Sequence, residues 1–112
     1  MKIGIIQGRL SSPDEGFQEC PVDWKREFKL LGALDLNHIE WIVTKENYDF
    51  NPIHTENLKK HPISSVCVDF MVDENFLDVK YLDNYLKPIC EMVTHNNIKC
   101  LFISPPFKYF FE

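Results

Sequence analysis

Lys2-Ile-Gly-Ile-Ile-Gln-Gly-Arg-Leu10 is the stretch whose reading decides the fold. Ile3, Ile5 and Ile6 form a short apolar run broken by Gly4, without helical period. A run this brief, rich in β-branched residues and followed by Gly8, predicts a strand buried on both faces, as in a parallel sheet covered by helices. Gln7, Arg9, Ser11, Ser12, Asp14 and Glu15 follow at once. Ligands of such sheets sit at the carboxyl ends of the strands, so Gln7 and Arg9 are the first candidates for ligand contact. For Arg9 the alternative is a solvated loop cation.

Outward from this strand, residues Gln7 to Pro21 make a connection of a length that is often functional. Asp23 then offers an N-cap to an amphipathic helix, with Trp24, Phe28, Leu31 and Leu34 on one side and Lys25, Arg26 and Lys29 on the other. His38-Ile-Glu-Trp-Ile-Val43 predicts a second strand, with Glu40 and Trp41 near its carboxyl end. A carboxylate in a covered sheet is rare unless paired, so Glu40 is aimed into a site or else turned to solvent. Asn51-Pro52 marks a turn, Thr55 could cap a short helix through Lys60, and His54 lies in this loop on the side of Glu40. His54 is there either a ligand contact or a loop histidine without a role.

Ile63 to Val72 predicts a third strand, with Val66, Cys67, Val68 and Phe70 as its core and Asp69 near its far end. Beyond Asp73-Glu74-Asn75, a helical stripe of Leu82, Leu86, Ile89 and Val93 runs across Pro88, where a kink or restart is expected. Lys99 to Ser104 reads as a fourth strand, stopped by Pro105-Pro106, and the aromatic tail from Phe107 to Glu112 has no assignment. The order is βαβαβαβ, an α/β fold with a parallel sheet, in one domain over residues 1–112.

Composition sets the class. A 112-residue chain that is 45% hydrophobic and 13% aromatic suits a packed domain with one core. Seventeen acidic against twelve basic residues, a net charge of −5, argue against nucleic acid as a partner. Lys59-Lys60 reads as a solvated helix end. No run approaches the ~18 apolar residues of a membrane helix or the core of a signal peptide, so no membrane partner is expected. Cys20, Cys67, Cys90 and Cys100 form neither a C-x-x-C pair nor a zinc-like spacing, and a reduced cytoplasmic protein is the simplest expectation.

Gly4-Ile-Ile-Gln-Gly-Arg-Leu10, Phe17-Gln18, Pro21, Trp24, Glu27-Phe28, Ile39-Glu-Trp-Ile42, Asn51-Pro52 and Ser65-Val-Cys-Val-Asp69, in this order, resemble the amino-terminal part of the xylose isomerase-like barrels, the sugar-phosphate isomerase and epimerase group. The resemblance implies a partial (β/α)8 TIM barrel, about four of eight strands. It also implies metal-assisted proton transfer beside a sugar carbonyl, with paired carboxylates as acid and base. A divalent metal (Mn, Mg, Zn or Co) is expected for the full barrel, with its ligands mainly in the later half, so none is assigned to this segment. Within this reading Glu40 and Asp69 are the catalytic candidates, while Gln7, Arg9, Trp41 and His54 line the substrate side, Trp41 as a stacking surface or as plain core. The segment before the third strand is short for the group, and Asp35 stands where glycine is expected after the first helix.

A barrel cut at four strands leaves two open edges and an uncovered inner face, with side chains such as those of Ile5 or Val68, and self-association through those edges is expected. Two other classes remain. One is a small flavodoxin-like signalling domain phosphorylated on Asp69, although Ile5, Ile6 and Gln7 stand where its acidic pair would hold Mg2+. The other is a non-catalytic fragment.

Overall fold

A computed structural model describes residues 1–11, 21–71 and 78–103. The readings that involve Ser12, Asp14, Glu15, Phe17, Gln18, Cys20, Val72, Asp73, Glu74, Asn75 and residues 104–112 lie outside the described residues. The elements are β1 (Gly4–Ile6), α1 (Trp24–Ala33), β2 (His38–Val43), β3 (Ile63–Val68), α2 (Val79–Tyr81), α3 (Lys87–His95) and β4 (Leu101–Ile103). Single turns of 3-10 helix occupy Tyr48–Phe50, Pro52–His54 and Asp69–Met71, and a π-helical turn, Leu82–Leu86, joins α2 to α3.

The four strands form one sheet in the order β1-β2-β3-β4, and every pairing is parallel. Each connection moves the chain one strand further in the same direction. A flavodoxin-type sheet would put β1 between β2 and β3; here β2 lies between β1 and β3. The expected α/β parallel sheet is present, with one change: the crossover from β2 to β3 holds two 3-10 turns and no α-helix. The Asn51 side chain accepts from Ile53 N at 3.1 Å, starting the Pro52–His54 turn. The buried Leu58 then draws the chain inward where the helix from Thr55 to Lys60 was expected.

Register sorts the side chains into two faces. Residues paired across parallel strands share a face, so Ile5 goes with Ile39, Trp41 with Val66, Val43 with Val68, and Val66 and Val68 with Leu101 and Ile103. This face carries the core, with Trp41, Val43, Val66 and Val68 packed against Trp24 of α1, Ile89 and Val93 of α3, and Ile53, Leu58, Phe70 and Met71 from the loops. The opposite face holds Gly4, Ile6, His38, Glu40, Ile42, Ser65, Cys67 and Phe102. No described helix packs on it: Phe102 is 59% and Ile6 42% exposed.

β1 is therefore not buried on both faces, as the apolar run predicted; Gly4 and Ile6 are exposed and Ile5 half-buried. The physical reason is that, among the described residues, β1 is an edge strand and the helices lie on one side of the sheet. Ile5 and Val68 likewise belong to the helix-covered face, while Ile6, Ile42, Cys67 and Phe102 belong to the opposite one, where Ile42 is nonetheless buried and Ile6 and Phe102 are exposed. At Ser64 the pairing slips from Ile39–Ile63 to Glu40–Ser65, a bulge that keeps Val66 and Val68 in the core.

Element ends follow local chemistry. Asp23 precedes α1 but makes no side-chain cap, and Leu34 falls just beyond the helix and is exposed. Asp35 has φ 57°, the left-handed conformation for which glycine was expected. The helix does restart at Pro88, which lies in the first turn of α3 directly after the π turn, where its missing N–H is tolerated. β3 ends at Val68, so Asp69 lies past the strand and opens a 3-10 turn. No helix among the described residues is long and apolar enough to cross a membrane.

Candidate functional site

The turn after β1 is set by one glycine and one glutamate. Gly8 has φ 87°, where any side chain is strained. Its N–H donates to both carboxylate oxygens of Glu27, at 2.9 and 3.0 Å, and Leu10 N–H donates to Glu27 Oε2 at 3.1 Å. Glu27 is 2% exposed and reaches this turn from the first turns of α1. Its carboxylate thus fixes the Gln7–Leu10 segment against the helix. Sequence reasoning did not single out its role, yet a signal existed: Glu27 sits on the apolar stripe with Trp24, Phe28 and Leu31.

Gln7 extends the sheet by one step. Its N–H donates to Glu40 O at 2.9 Å and its Oε1 accepts from Ile42 N–H at 3.0 Å, so a side-chain amide continues the β1–β2 ladder past Ile6. It is 1% exposed, and its carbonyl side faces β2. Arg9 is exposed beyond the turn, with Nη1 3.5 Å from Gln7 O.

Beyond β2 a polar network closes the strand end. Asn51 Oδ1 accepts from Trp41 Nε1 at 2.9 Å, and Asn51 Nδ2 donates to Ile42 O at 2.9 Å and to Asn47 Oδ1 at 3.1 Å. Asn47 Oδ1 also accepts from Thr44 N, and Thr44 Oγ1 from Asn47 N. Such a network keeps buried amides satisfied and orders the loop. Trp41 is 0% exposed, edge-on to Trp24 at 5.3 Å, so it is a core residue with no ring face open to a sugar. The reading of Trp41 as a stacking surface is corrected by the parity of β2, which turns it toward α1.

The other candidates divide by height along the strands. Glu40 lies on the open face, half-buried, level with Ile6 and Ser65. It sits mid-strand in β2, but β1 is so short that Glu40, Gln7 and Arg9 gather around the carboxyl end of β1. Asp69 is exposed just past β3, four residues beyond Ser65 and so roughly 13 Å further along the strand direction at ~3.3 Å per residue. His54 is half-buried, its ring 5.0 Å from Tyr48, and its Nε2 is buried without a hydrogen-bond partner. His38 packs over Gly4 so closely that a Cβ there would overlap the imidazole and come within 2.8 Å of the His38 carbonyl oxygen. With Ile6, Glu40 and Ser64 these residues line a shallow hollow of about 150 Å³.

A second concavity lies between the loop after β2 and the helix after β3. Lys45, Tyr48, Asp49, Phe70, Tyr81 and Tyr85 line a cleft of about 410 Å³. Burial, reinforced by the Asp49 carboxylate and by Tyr85, pushes the Tyr48 phenol above its usual pKa, so it stays protonated at neutral pH. None of its lining residues was a sequence candidate.

Among the described residues no three His, Cys, Asp or Glu side chains converge as a metal site requires. Comparison with protein-family models, curated proteins and solved structures finds no match to this chain.

Proposed function

We propose that the chain is the first four strands of a (β/α)8 barrel of the sugar isomerase and epimerase type, acting in the cytoplasm on a sugar or sugar phosphate. The observation that carries the proposal is the sheet itself: four parallel strands in sequential order, with the described helices all on one face and no described helix on the other, where Ile6 and Phe102 are exposed. Parallel sheets are ordinarily covered on both faces, and a barrel wall is the arrangement in which the second face is covered by the rest of the barrel. The same strand order counts against the flavodoxin-like alternative with phosphorylated Asp69.

In this reading the open face is the inner wall, and Glu40 and Asp69 hydrogen-bond sugar hydroxyls or support catalytic groups. Arg9 stands at the rim as the cation for a phosphate or hydroxyl, and Gln7 shapes the rim by ending β1. The segment by itself is a binding wall rather than a catalyst. Two-dimensional NMR of the 112-residue chain titrated with ketose and aldose phosphates tests this. Expected are shifts at Gly8, Arg9, Glu40 and Asp69 without turnover, whatever divalent metal is added. No shifts at those positions, or metal-dependent epimerisation with host enzymes excluded, would show the reading to be wrong.

A further inference from the structure

The cleft at Lys45, Tyr48, Asp49, Phe70, Tyr81 and Tyr85 is built in a manner that core packing does not require. Tyr48 Oη donates to the Tyr85 carbonyl oxygen at 2.6 Å, tying the loop after β2 to the π-helical turn 37 residues away. That turn precedes Pro88, whose ring nitrogen has no hydrogen to offer a carbonyl one turn back, and π turns of this kind recur at functional sites. Tyr48 stands edge-on to Phe70 at 5.2 Å and to Tyr85 at 5.4 Å, so the floor is a locked aromatic corner. Tyr81 and Tyr85 lie 4.7 Å apart and tilted by 34°. They come from one helical face, being four residues apart. Tyr85 is 41% exposed, a large ring kept in water at the mouth.

We infer that this cleft binds the ring of an uncharged cyclic sugar, with its C–H face against Tyr81 and Tyr85 and its hydroxyls toward Lys45 and Asp49. The volume, about 410 Å³, suits a small ligand. The position, on the carboxyl side of the adjacent strands β2 and β3, is where parallel α/β sheets take ligands. One ammonium and one carboxylate balance each other at the rim, so a dianionic phosphate gains little there. A carboxylate that accepts from hydroxyls beside an ammonium that donates to them suits a polyol. The choice of carbohydrate rests on the sugar reading proposed above and narrows it to rings without phosphate at this site.

Ring-proton NMR of the tyrosines in the full chain tests the assignment, with methyl β-glucopyranoside, methyl α-mannopyranoside, glucose 6-phosphate and indole as separate probes. The methyl glycosides are expected to shift Tyr81 and Tyr85 saturably, with weaker response to glucose 6-phosphate. Tyr85→Ala is expected to weaken binding about fivefold, and Tyr85→Phe to preserve it, since the ring face and not the hydroxyl is used. Tyr85 is exposed and its hydrogen bond to Tyr48 comes from the backbone, so the substitution leaves the fold in place. Indole or glucose 6-phosphate binding more tightly than either glycoside overturns the inference, as does no response up to the solubility limit. Sugar-phosphate shifts at Arg9 and Asp69 alone, with Tyr81 and Tyr85 silent, refute the cleft and spare the barrel-wall reading. Shifts at the tyrosines alone do the reverse.

Discussion

Replacing Glu27 with alanine tests how the turn after β1 is held. The substitution removes the acceptor of two N–H donors, Gly8 and Leu10, that meet the carboxylate at 2.9 to 3.1 Å. Gly8 is buried, so water does not readily replace the lost partner, and Leu10 is half-buried. A hydrogen bond to a charged group contributes about 1.5–3 kcal/mol net, and a buried orphaned donor costs about as much. Weighting the part-exposed Leu10 donor lightly, Glu27→Ala should destabilise by ~3 kcal/mol, a large share of the ~5–15 kcal/mol typical of a domain. With a urea m-value of ~1–3 kcal/mol/M, the midpoint should fall by about 1–3 M. Glu27→Gln retains one acceptor oxygen and should lie between the two. Urea melts followed by tryptophan fluorescence report the difference, since Trp24 belongs to α1 and Trp41 to the core beneath it. Amide hydrogen exchange at Gly8 and Leu10 should accelerate in both variants. A Glu27→Ala protein within 0.5 kcal/mol of the parent, with slow exchange at Gly8, would refute the reasoning (~0.5 kcal/mol being the usual effect of a surface change).

Asp35→Gly should stabilise the chain by ~1 kcal/mol in the same assay, because Asp35 occupies the left-handed region at φ 57°; a loss of stability would contradict the strain argument. His61 stacks on Phe28 at 4.4 Å, and burial, then the Lys25 charge, hold its pKa below the ordinary 6.5. The unfolded chain therefore binds the proton more readily, and stability should fall as pH drops from about 6.5 toward the folded-state pKa. His61→Phe should flatten that part of the pH–stability curve, and an unchanged slope would dissociate His61 from it. Finally, the sheet face that no described helix covers, and the edges at β1 and β4 among the described strands, should make the chain self-associate, so that sedimentation at micromolar concentration gives more than the 13.2 kDa of one chain. Phe102→Asp should lower the average mass, whereas a compact parent monomer with a concentration-independent melt would remove the barrel-wall reading.

The strands, α1 and the restart at Pro88 were legible along the chain, because apolar runs, a helical stripe and a proline act over neighbouring residues. β2 and β3 were readable from Ile39 to Val43 and from Val66 to Val68 for that reason, whereas glycine at position 35 was expected only through the family resemblance. The sequence by itself also determined a parallel sheet, since strands separated by long connections pair in that way. What the tertiary structure decided depends on partners far apart. Glu27 finds Gly8 across 19 residues, Gln7 finds Ile42 across 35, and Tyr48 finds Tyr85 across 37. The face on which each side chain falls was equally out of reach. Ile6 and Phe102 look as apolar as Ile39 and Val68, and the register to their neighbours, together with the placement of the described helices on one side, leaves the first pair in water and the second pair in the core. Trp41 and Glu40, adjacent in sequence, part in the same way, because successive residues of a strand point to opposite faces and the described helices pack on the Trp41 side.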